Sequence, residues 1–182
     1  MKFEPTAVDG AYVIAPEPRE DERGYFARMF CVREFEAYGL ESTVKQVNNS
    51  NSRFAGTLRG MHYQLSPHEE VKVVRCVRGA LWDVVLDLRP ASATFGRWFG
   101  AELTAENRRL MYVPRGCAHG FITLADETEA IYLVSEFYSP ERERGIRWDD
   151  PRFAIRWPHA PTVLSEKDRA HRDFDPAWHL HS

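Results

Sequence analysis

Turn-forming residues recur about every ten positions along this chain, and that spacing restricts the fold more than any other feature. Short runs rich in Val, Leu, Tyr and Phe lie between the turns. Such spacing is typical of antiparallel sandwiches and barrels, whereas βαβ units alternate strands with longer helical segments. We therefore predict an all-β fold. The turn signals are Asp9-Gly10, Arg23-Gly24, Gly39, Asn48-Asn49-Ser50, Arg78-Gly79, Arg89-Pro90, Gly96, Pro114-Arg115-Gly116, Ser139-Pro140 and Asp150-Pro151.

The clearest predicted strands have the length and composition of buried or half-buried strands. Arg78-Gly79 separates two of them, which predicts a tight hairpin. Short helical segments are predicted at residues 32–38 and 104–107, and the charged, His-rich tail after Ser165 is expected outside unless a site draws in Lys167 and Asp168. The predicted strands are residues 71–78, 80–88, 110–113, 120–124 and 129–138.

The composition excludes several classes of protein. The 24 basic and 27 acidic residues are interspersed without a long basic run, so we expect no nucleic-acid partner. No apolar run approaches the roughly 18 residues of a membrane helix, so we expect no membrane association. The three cysteines are too few and odd in number for a disulfide framework, and no leader opens the chain, which predicts a cytoplasmic protein. We expect one domain, residues 1–182, acting on a small polar substrate.

Polar side chains interrupt an otherwise apolar segment at residues 58–64. Lys72 follows on the next predicted strand, where it alternates with Val74 and Cys76, so its ammonium should lie among apolar neighbours and need an anionic partner. Strict alternation places Leu58, Gly60, His62 and Gln64 on one face and Arg59, Met61 and Tyr63 on the other. Both faces then carry polar groups, so at least one should line a cavity.

The segment Pro114-Arg115-Gly116-Cys117-Ala118-His119-Gly120 resembles the second motif of cupins, in which a tight turn leads into a strand with an inward His. This implies a cupin-type jelly roll with short peripheral helices. Metal-binding cupins carry an earlier H-x-H motif, whereas here Gln64 stands two positions after His62. Two histidines without an assured carboxylate fall short of a metal-ligand set, so we expect no metal and no cofactor.

Further motifs run in order along nearly the whole chain: Asp21-Glu22-Arg23-Gly24-Tyr25-Phe26, Gln46-x-Asn48, Leu58-Arg59-Gly60-Met61-His62-Tyr63-Gln64, Asp83-Val84, Asp87-Leu88-Arg89, Tyr132, Tyr138-Ser139-Pro140, Trp148-Asp149-Asp150-Pro151 and Leu164-Ser165-Glu166-Lys167-Asp168. Together they resemble the dTDP-4-dehydrorhamnose 3,5-epimerase family. The resemblance implies a homodimer that inverts C3 and C5 of a nucleotide-linked 4-keto-6-deoxyhexose through enolates.

Such a reaction needs a base on one face of the sugar, an enolate stabiliser and an acid on the other face. By resemblance His62 is the base and Tyr132 is the acid. Lys72, whose ammonium needs an anionic partner, would stabilise the enolate oxygen, with Arg59 as a second cation. Asp168 would hold the His62 ring by resemblance, but Asp83 is a competitor that the sequence leaves open.

The resemblance also implies contacts to the nucleotide. Tyr138 would stack on the base, and Arg23, Arg59 and Lys167 would meet the diphosphate. The other implied substrate contacts are Phe26, Gln46, Asn48, His119 and Glu143.

Structural and functional alternatives remain open. His62 could be a core histidine, Lys72 an edge-strand lysine, and Tyr132 and Tyr138 sheet aromatics. The functional alternatives are a C3-only epimerase, a cupin that binds a sugar nucleotide without turnover, and a metal-dependent oxygenase. Arg28 stands where the family usually carries Glu, and the segment 46–56 is one residue longer than usual, so the nucleotide and the sugar stay open.

Overall fold

Two antiparallel sheets form the structure, which is a computed structural model that describes residues 1–181. Sheet 1 has the strand order β1-β2-β10-β7-β12-β5, and sheet 2 has the order β13-β6-β11-β8-β9 with β14 added beside β6; β3 and β4 form a separate two-stranded ribbon. In chain order the elements are β1 (Lys2–Pro5), β2 (Tyr12–Ala15), β3 (Arg19–Asp21), β4 (Gly24–Phe26), α1 (Val32–Ala37), β5 (Gln46–Ser52), β6 (Thr57–Gln64), β7 (Lys72–Arg78), β8 (Ala80–Asp87), β9 (Trp98–Thr104), β10 (Leu110–Val113), β11 (Cys117–Thr123), β12 (Thr128–Val134), β13 (Glu143–Gly145), β14 (Val163–Leu164), α2 (Glu166–Arg169) and α3 (Pro176–His179).

The main core lies between the two sheets. Val74 and Met111 of sheet 1 belong to the same buried cluster as Val85 and Phe121 of sheet 2. Apolar residues at alternate strand positions point into this space, which is the usual way that a two-sheet fold removes apolar surface from water. Tyr132 packs at the edge of this cluster. The all-β prediction is confirmed.

Most predicted strands are present with small shifts at their ends, but the hairpin at Arg78-Gly79 is wrong. Gly79 has a positive φ of 72° and makes a turn, yet β7 belongs to sheet 1 and β8 to sheet 2. The chain therefore crosses from one sheet to the other at this turn. The turn predicted at Asn48-Asn49-Ser50 is also wrong, because these residues pair with β12 as part of the edge strand β5.

The strand predicted at residues 129–138 ends at Val134. Beyond it, one backbone bond from the Ser135 amide to the Val71 carbonyl remains, and side chains accept the other amides: Val71 N–H donates to Ser135 Oγ, and Tyr138 N–H donates to Gln46 Oε1. Tyr138 therefore lies in an exposed segment and not on the strand face of Tyr132. Of the predicted helical segments, α1 ends one residue early at Ala37, and residues 105–107 form a turn.

A bulge in β6 changes which side chains share a face. His62 lies opposite His119 but Arg59 lies opposite Phe121, so β6 carries one more residue than β11 over this span. The placement of Arg59 and His62 on opposite faces is therefore wrong, and both line one cavity. Gly60, with a φ of 139°, permits the close approach, because a Cβ there would collide with the backbone of Gly120.

The tail returns to sheet 2 after Pro161. Strand β14 pairs in parallel with the start of β6, and α2 follows directly. Ser165 caps α2 by accepting the Asp168 amide at 3.0 Å. Lys167 and Asp168 therefore line the cavity. The tail was expected on the outside unless a site drew in these two residues, and it does draw them in. Across residues 1–181, every helix is too short or too polar to cross a bilayer.

Candidate active site

Two adjoining cavities, of about 480 and 370 Å³, share the lining residues His62, Lys72 and Tyr132. His62 projects from β6 of sheet 2, whereas Lys72 on β7 and Tyr132 on β12 project from sheet 1. The space between them is large enough for a small organic molecule. A basic imidazole therefore lies on one wall, and an ammonium and a phenol lie on the other.

Asp168 is the carboxylate that holds His62. Its Oδ1 lies 2.6 Å from His62 Nε2, and the Asp168 side chain is 5% exposed. Asp83 instead lies 2.8 Å from Nε2 of His119. The sequence left Asp83 and Asp168 as competitors for His62, and the geometry places Asp168 against His62 and Asp83 against His119.

Glu143 approaches the other nitrogen of the His62 ring. Its Oε1 lies 3.5 Å from His62 Nδ1, and the same carboxylate accepts hydrogen bonds from Lys167 Nζ at 2.6 Å and from the Tyr138 hydroxyl at 2.7 Å. The pairing of β13 with β6 produces this contact, because Gly145 lies opposite His62. The sequence suggested Glu143 only as a substrate contact.

The carboxylates set the electrostatics of His62. Burial alone would lower the pKa of His62, but hydrogen bonds to Asp168 and Glu143 outweigh it, so the net pKa is raised above 6.5. Burial would raise the pKa of Asp168, yet the polar contacts of its carboxylate with His171, His62 and Ser165 hold the pKa well below its usual range. The hydrogen bond with His62 is likewise the largest cause of the lowered pKa of Glu143. The two carboxylates thus stabilise the imidazolium form of His62 relative to a histidine in water.

On the facing wall, Lys72 has the anionic partner that its surroundings require. Lys72 Nζ lies 2.7 Å from Glu70 Oε1, and each of these side chains is 13% exposed. Sequence reasoning missed Glu70, although a carboxylate two positions before a half-buried lysine was the available signal. Burial raises the pKa of Tyr132, so this phenol stays protonated over a wide pH range.

The expected substrate contacts divide into three groups. The larger cavity is lined by Arg59, His119 and Lys167, and the smaller cavity by Gln46, Asn48, Tyr138 and Glu143. Arg23 and Phe26 line neither. Arg23 is 85% exposed and pairs with Asp21, and Phe26 is 72% exposed beside Arg28, at a separate depression.

Sequence reasoning also missed His171, whose ring packs edge-on against His62 with 5.4 Å between ring centroids. His171 Nε2 lies 3.5 Å from Asp168 Oδ1. The signal was present, because Asp168 and His171 are three positions apart at the end of a short helix. Donor atoms of His62, Asp168 and His171 all lie within 4.8 Å of one another, which is compatible with a metal ion. The positions that match the cupin motifs offer no such cluster. Nε2 of His119 lies 2.8 Å from Asp83, and the Gln64 side chain donates a hydrogen bond to the backbone carbonyl of His68.

Comparison with known proteins identifies what this arrangement resembles. The family model described as dTDP-4-dehydrorhamnose 3,5-epimerase matches residues 5–175. A protein of that name from Shigella flexneri is 44% identical over 164 residues, which are 90% of each chain.

Solved structures agree in fold. The 3,5-epimerase RmlC from Legionella pneumophila, in complex with dTDP-4-keto-L-rhamnose, is 37% identical with a TM-score of 0.91, covering 99% of this chain and 97% of its own. ChmJ, a 3'-monoepimerase from Streptomyces bikiniensis in complex with dTDP-quinovose, is 36% identical with a TM-score of 0.86, covering 93% and 86%. These likenesses confirm the predicted cupin-type jelly roll.

Proposed function

This chain belongs to the dTDP-4-dehydrorhamnose 3,5-epimerase family, and we propose that it inverts C3 and C5 of a dTDP-linked 4-keto-6-deoxyhexose. The observation that carries the proposal is the His62–Asp168 pair on one cavity wall with Lys72 and Tyr132 on the other. Protons next to a ketone are weakly acidic, and these four groups match what their removal and return require. We propose a single-domain protein of the cytoplasm, where free cysteines stay reduced.

The first step is removal of a proton from the carbon beside the ketone. Because Asp168 holds His62 Nε2 at 2.6 Å, Nδ1 is the nitrogen left to accept that proton. Glu143 is farther from Nδ1, at 3.5 Å, which leaves more freedom for an incoming substrate. The electron pair of the broken C–H bond moves to the ketone oxygen O4 and forms an enolate.

Lys72 would stabilise that enolate. Its ammonium is mostly shielded from water, and charges in such surroundings interact more strongly than in bulk solvent. The ion pair with Glu70 holds the side chain on the cavity wall before substrate arrives. Arg59, which lines the same cavity, supplies a second cation at this end.

Tyr132 would return a proton from the opposite face. Since burial raises its pKa, the phenol keeps its proton until a strongly basic enolate is adjacent. Proton donation from sheet 1 after abstraction from sheet 2 inverts the carbon. The phenolate then regains a proton from water and His62 releases one, which restores both groups for the second carbon.

The remaining lining residues support a nucleotide site. In this proposal Tyr138 stacks on the base beside Gln46 and Asn48, and Lys167 meets the diphosphate. Lys167 is bound to Glu143 in the free protein, so the diphosphate would compete with that carboxylate. Arg28, which departs from the family pattern, lies away from both cavities of this chain.

We further propose a homodimer in which the β3–β4 ribbon carries Arg23 and Phe26 to the cavity of the partner. All six ribbon residues are exposed, including Tyr25 at 48%. Arg23→Ala and His62→Ala homodimers should each be nearly inactive. Mixed dimers should recover activity, because one of the two cavities is then intact. Mixtures that stay inactive would contradict this arrangement.

Solvent-deuterium incorporation tests the catalytic proposal. Incubation of the protein with dTDP-4-keto-6-deoxyglucose in deuterated water, followed by NMR, should show label at both C3 and C5 together with the inverted product. The likeness to a 3'-monoepimerase favours a second candidate, inversion at C3 alone, and label confined to C3 would select it. Binding of the sugar nucleotide without any label would refute catalysis and leave a binding protein.

A further inference from the structure

We infer that His62, Asp168 and His171 form a binding site for a divalent cation of the zinc class, and that occupation of this site inhibits the enzyme. The donor atoms come from β6 and from α2 with the residues just after it, which the tail brings together at the cavity. Two imidazoles and one carboxylate form a donor set typical of zinc sites that keep an open position. The inhibition, but not the binding, rests on the proposed function.

The donor atoms, all within 4.8 Å of one another, would close on a tetrahedral ion by movement of the side chains. Bonds of about 2.0–2.1 Å at tetrahedral angles place neighbouring donor atoms roughly 3.3 Å apart. The separation of 3.5 Å between Asp168 Oδ1 and His171 Nε2 already matches. The 2.6 Å contact between Asp168 Oδ1 and His62 Nε2 is a hydrogen bond and would have to lengthen. The carboxylate can make this movement because the ion replaces the bridging proton.

His171 approaches Asp168 without forming a hydrogen bond, since 3.5 Å separate its Nε2 from Asp168 Oδ1. Its side chain is 11% exposed, and within residues 1–181 its Nε2 has no hydrogen-bond partner. A Cβ at Gly145 would collide with the His171 ring, so the ring is seated directly on that glycine. A buried polar atom without a partner is costly, and coordination would satisfy it.

The charges around the cluster also permit a cation. Lys72 is paired with Glu70, and Lys167 is paired with Glu143. Asp168 is therefore the carboxylate left to balance an ion between the two imidazoles. Nitrogen donors favour zinc, copper or nickel over magnesium or calcium, which prefer oxygen ligands.

Occupation would remove the base from the reaction. An ion on His62 Nε2 would take the place of the proton shared with Asp168, and the neutral ring would then hold its one proton on Nδ1. That nitrogen would have no lone pair left to accept a proton from the sugar. The same ion engages Asp168, which can then no longer stabilise the imidazolium. Metal and turnover would therefore exclude one another at this site.

The direct test is titration of the metal-free protein with zinc chloride in a calorimeter, with magnesium chloride as the comparison ion. We expect one equivalent of zinc per chain and no magnesium binding. His171→Phe keeps an aromatic ring but removes both nitrogens, and it should weaken zinc binding by at least about tenfold. The matched control is His159→Phe, at an exposed histidine outside the cavity, which should bind zinc like the wild type.

A second readout tests inhibition. Zinc should suppress turnover of the wild type and of His159→Phe, and a chelator should restore it. For His171→Phe, whatever its zinc-free rate, the same zinc concentration should leave most of that rate in place. Circular dichroism checks each fold, and His171→Asn replaces the phenylalanine variant if that one does not fold. Absence of zinc binding by the wild type, or equal binding by the His171 variants, overturns the site. Zinc binding without inhibition would overturn only the proposal that the ion inhibits turnover. Because calorimetry needs no turnover, it tests the zinc site even if the dTDP sugar is not a substrate.

Discussion

Replacement of Asp168 by Asn should change both the rate and the pH dependence. In the proposed mechanism His62 acts as the base only when it is neutral, so kcat/KM should rise with pH through the pKa of His62. Asp168 and Glu143 raise that pKa, which places the acid limb of the wild-type profile above pH 6.5. Removing one charge in direct contact should lower the pKa by roughly 1–3 units. The limb should therefore move to lower pH by that amount and should persist, because Glu143 still lies near Nδ1.

The maximal rate of the same variant should fall, because an amide can donate as well as accept and no longer enforces one tautomer. We expect a loss of about a hundredfold or more, within the usual contribution of a positioned base. The assay is epimer formation followed by NMR across pH 5–9, with circular dichroism as a check on the fold. Asp83→Asn is the control, since Asp83 contacts His119, and it should leave the limb in place. An unshifted limb with a near wild-type maximum in Asp168→Asn would refute the reasoning.

Three further predictions follow from the cavity walls. Tyr132→Phe should still exchange deuterium at C3, because the base can return the proton to the face it came from, but should accumulate little epimer; normal epimer formation would remove Tyr132 as the acid. Tyr138→Ala should weaken binding of substrate and of free nucleotide by about 1–3 kcal/mol, the scale of base stacking on an aromatic ring, and unchanged affinity would make Tyr138 a surface residue. Gly145→Ala should destabilise the protein by roughly 1–3 kcal/mol through its collision with His171. In thermal unfolding most of that loss should disappear in the double variant with His171→Ala, and an additive loss would show that the collision is not the cause.

The fold class was predictable because turn residues recur at short intervals and short apolar runs lie between them. Both patterns are local in the sequence. The errors arose where non-local pairing overrides local preference. Arg78-Gly79 has the sequence of a hairpin turn whether the next strand pairs with β7 or joins the other sheet. The turn residues alone do not determine which sheet receives that strand. The bulge at Gly60 has no reliable sequence signal beyond the glycine, yet it brings Arg59 and His62 to one cavity.

The candidate site was predictable in its residue types and less so in its pairings. The choice between Asp83 and Asp168 as partners of His62 depends on where a tail some hundred residues away returns to the sheet. The same holds for Glu143, which reaches His62 only because β13 pairs with β6. Glu70 was missed because loop residues carry no periodicity from which a direction can be inferred.

The attachment of Asp168 makes activity more fragile than the fold. The carboxylate is carried by a helix of four residues, which cannot hold its own shape, and the preceding strand β14 has only two residues. Opening of this segment would cost less free energy than unfolding of the two sheets. On gentle heating, the enzyme would therefore lose its activity while the circular dichroism signal of its β-sheets is unchanged. The activity would return on cooling. If Asp168 orients the base as proposed, we expect a few tail residues, and not the core, to set the temperature range over which this protein works.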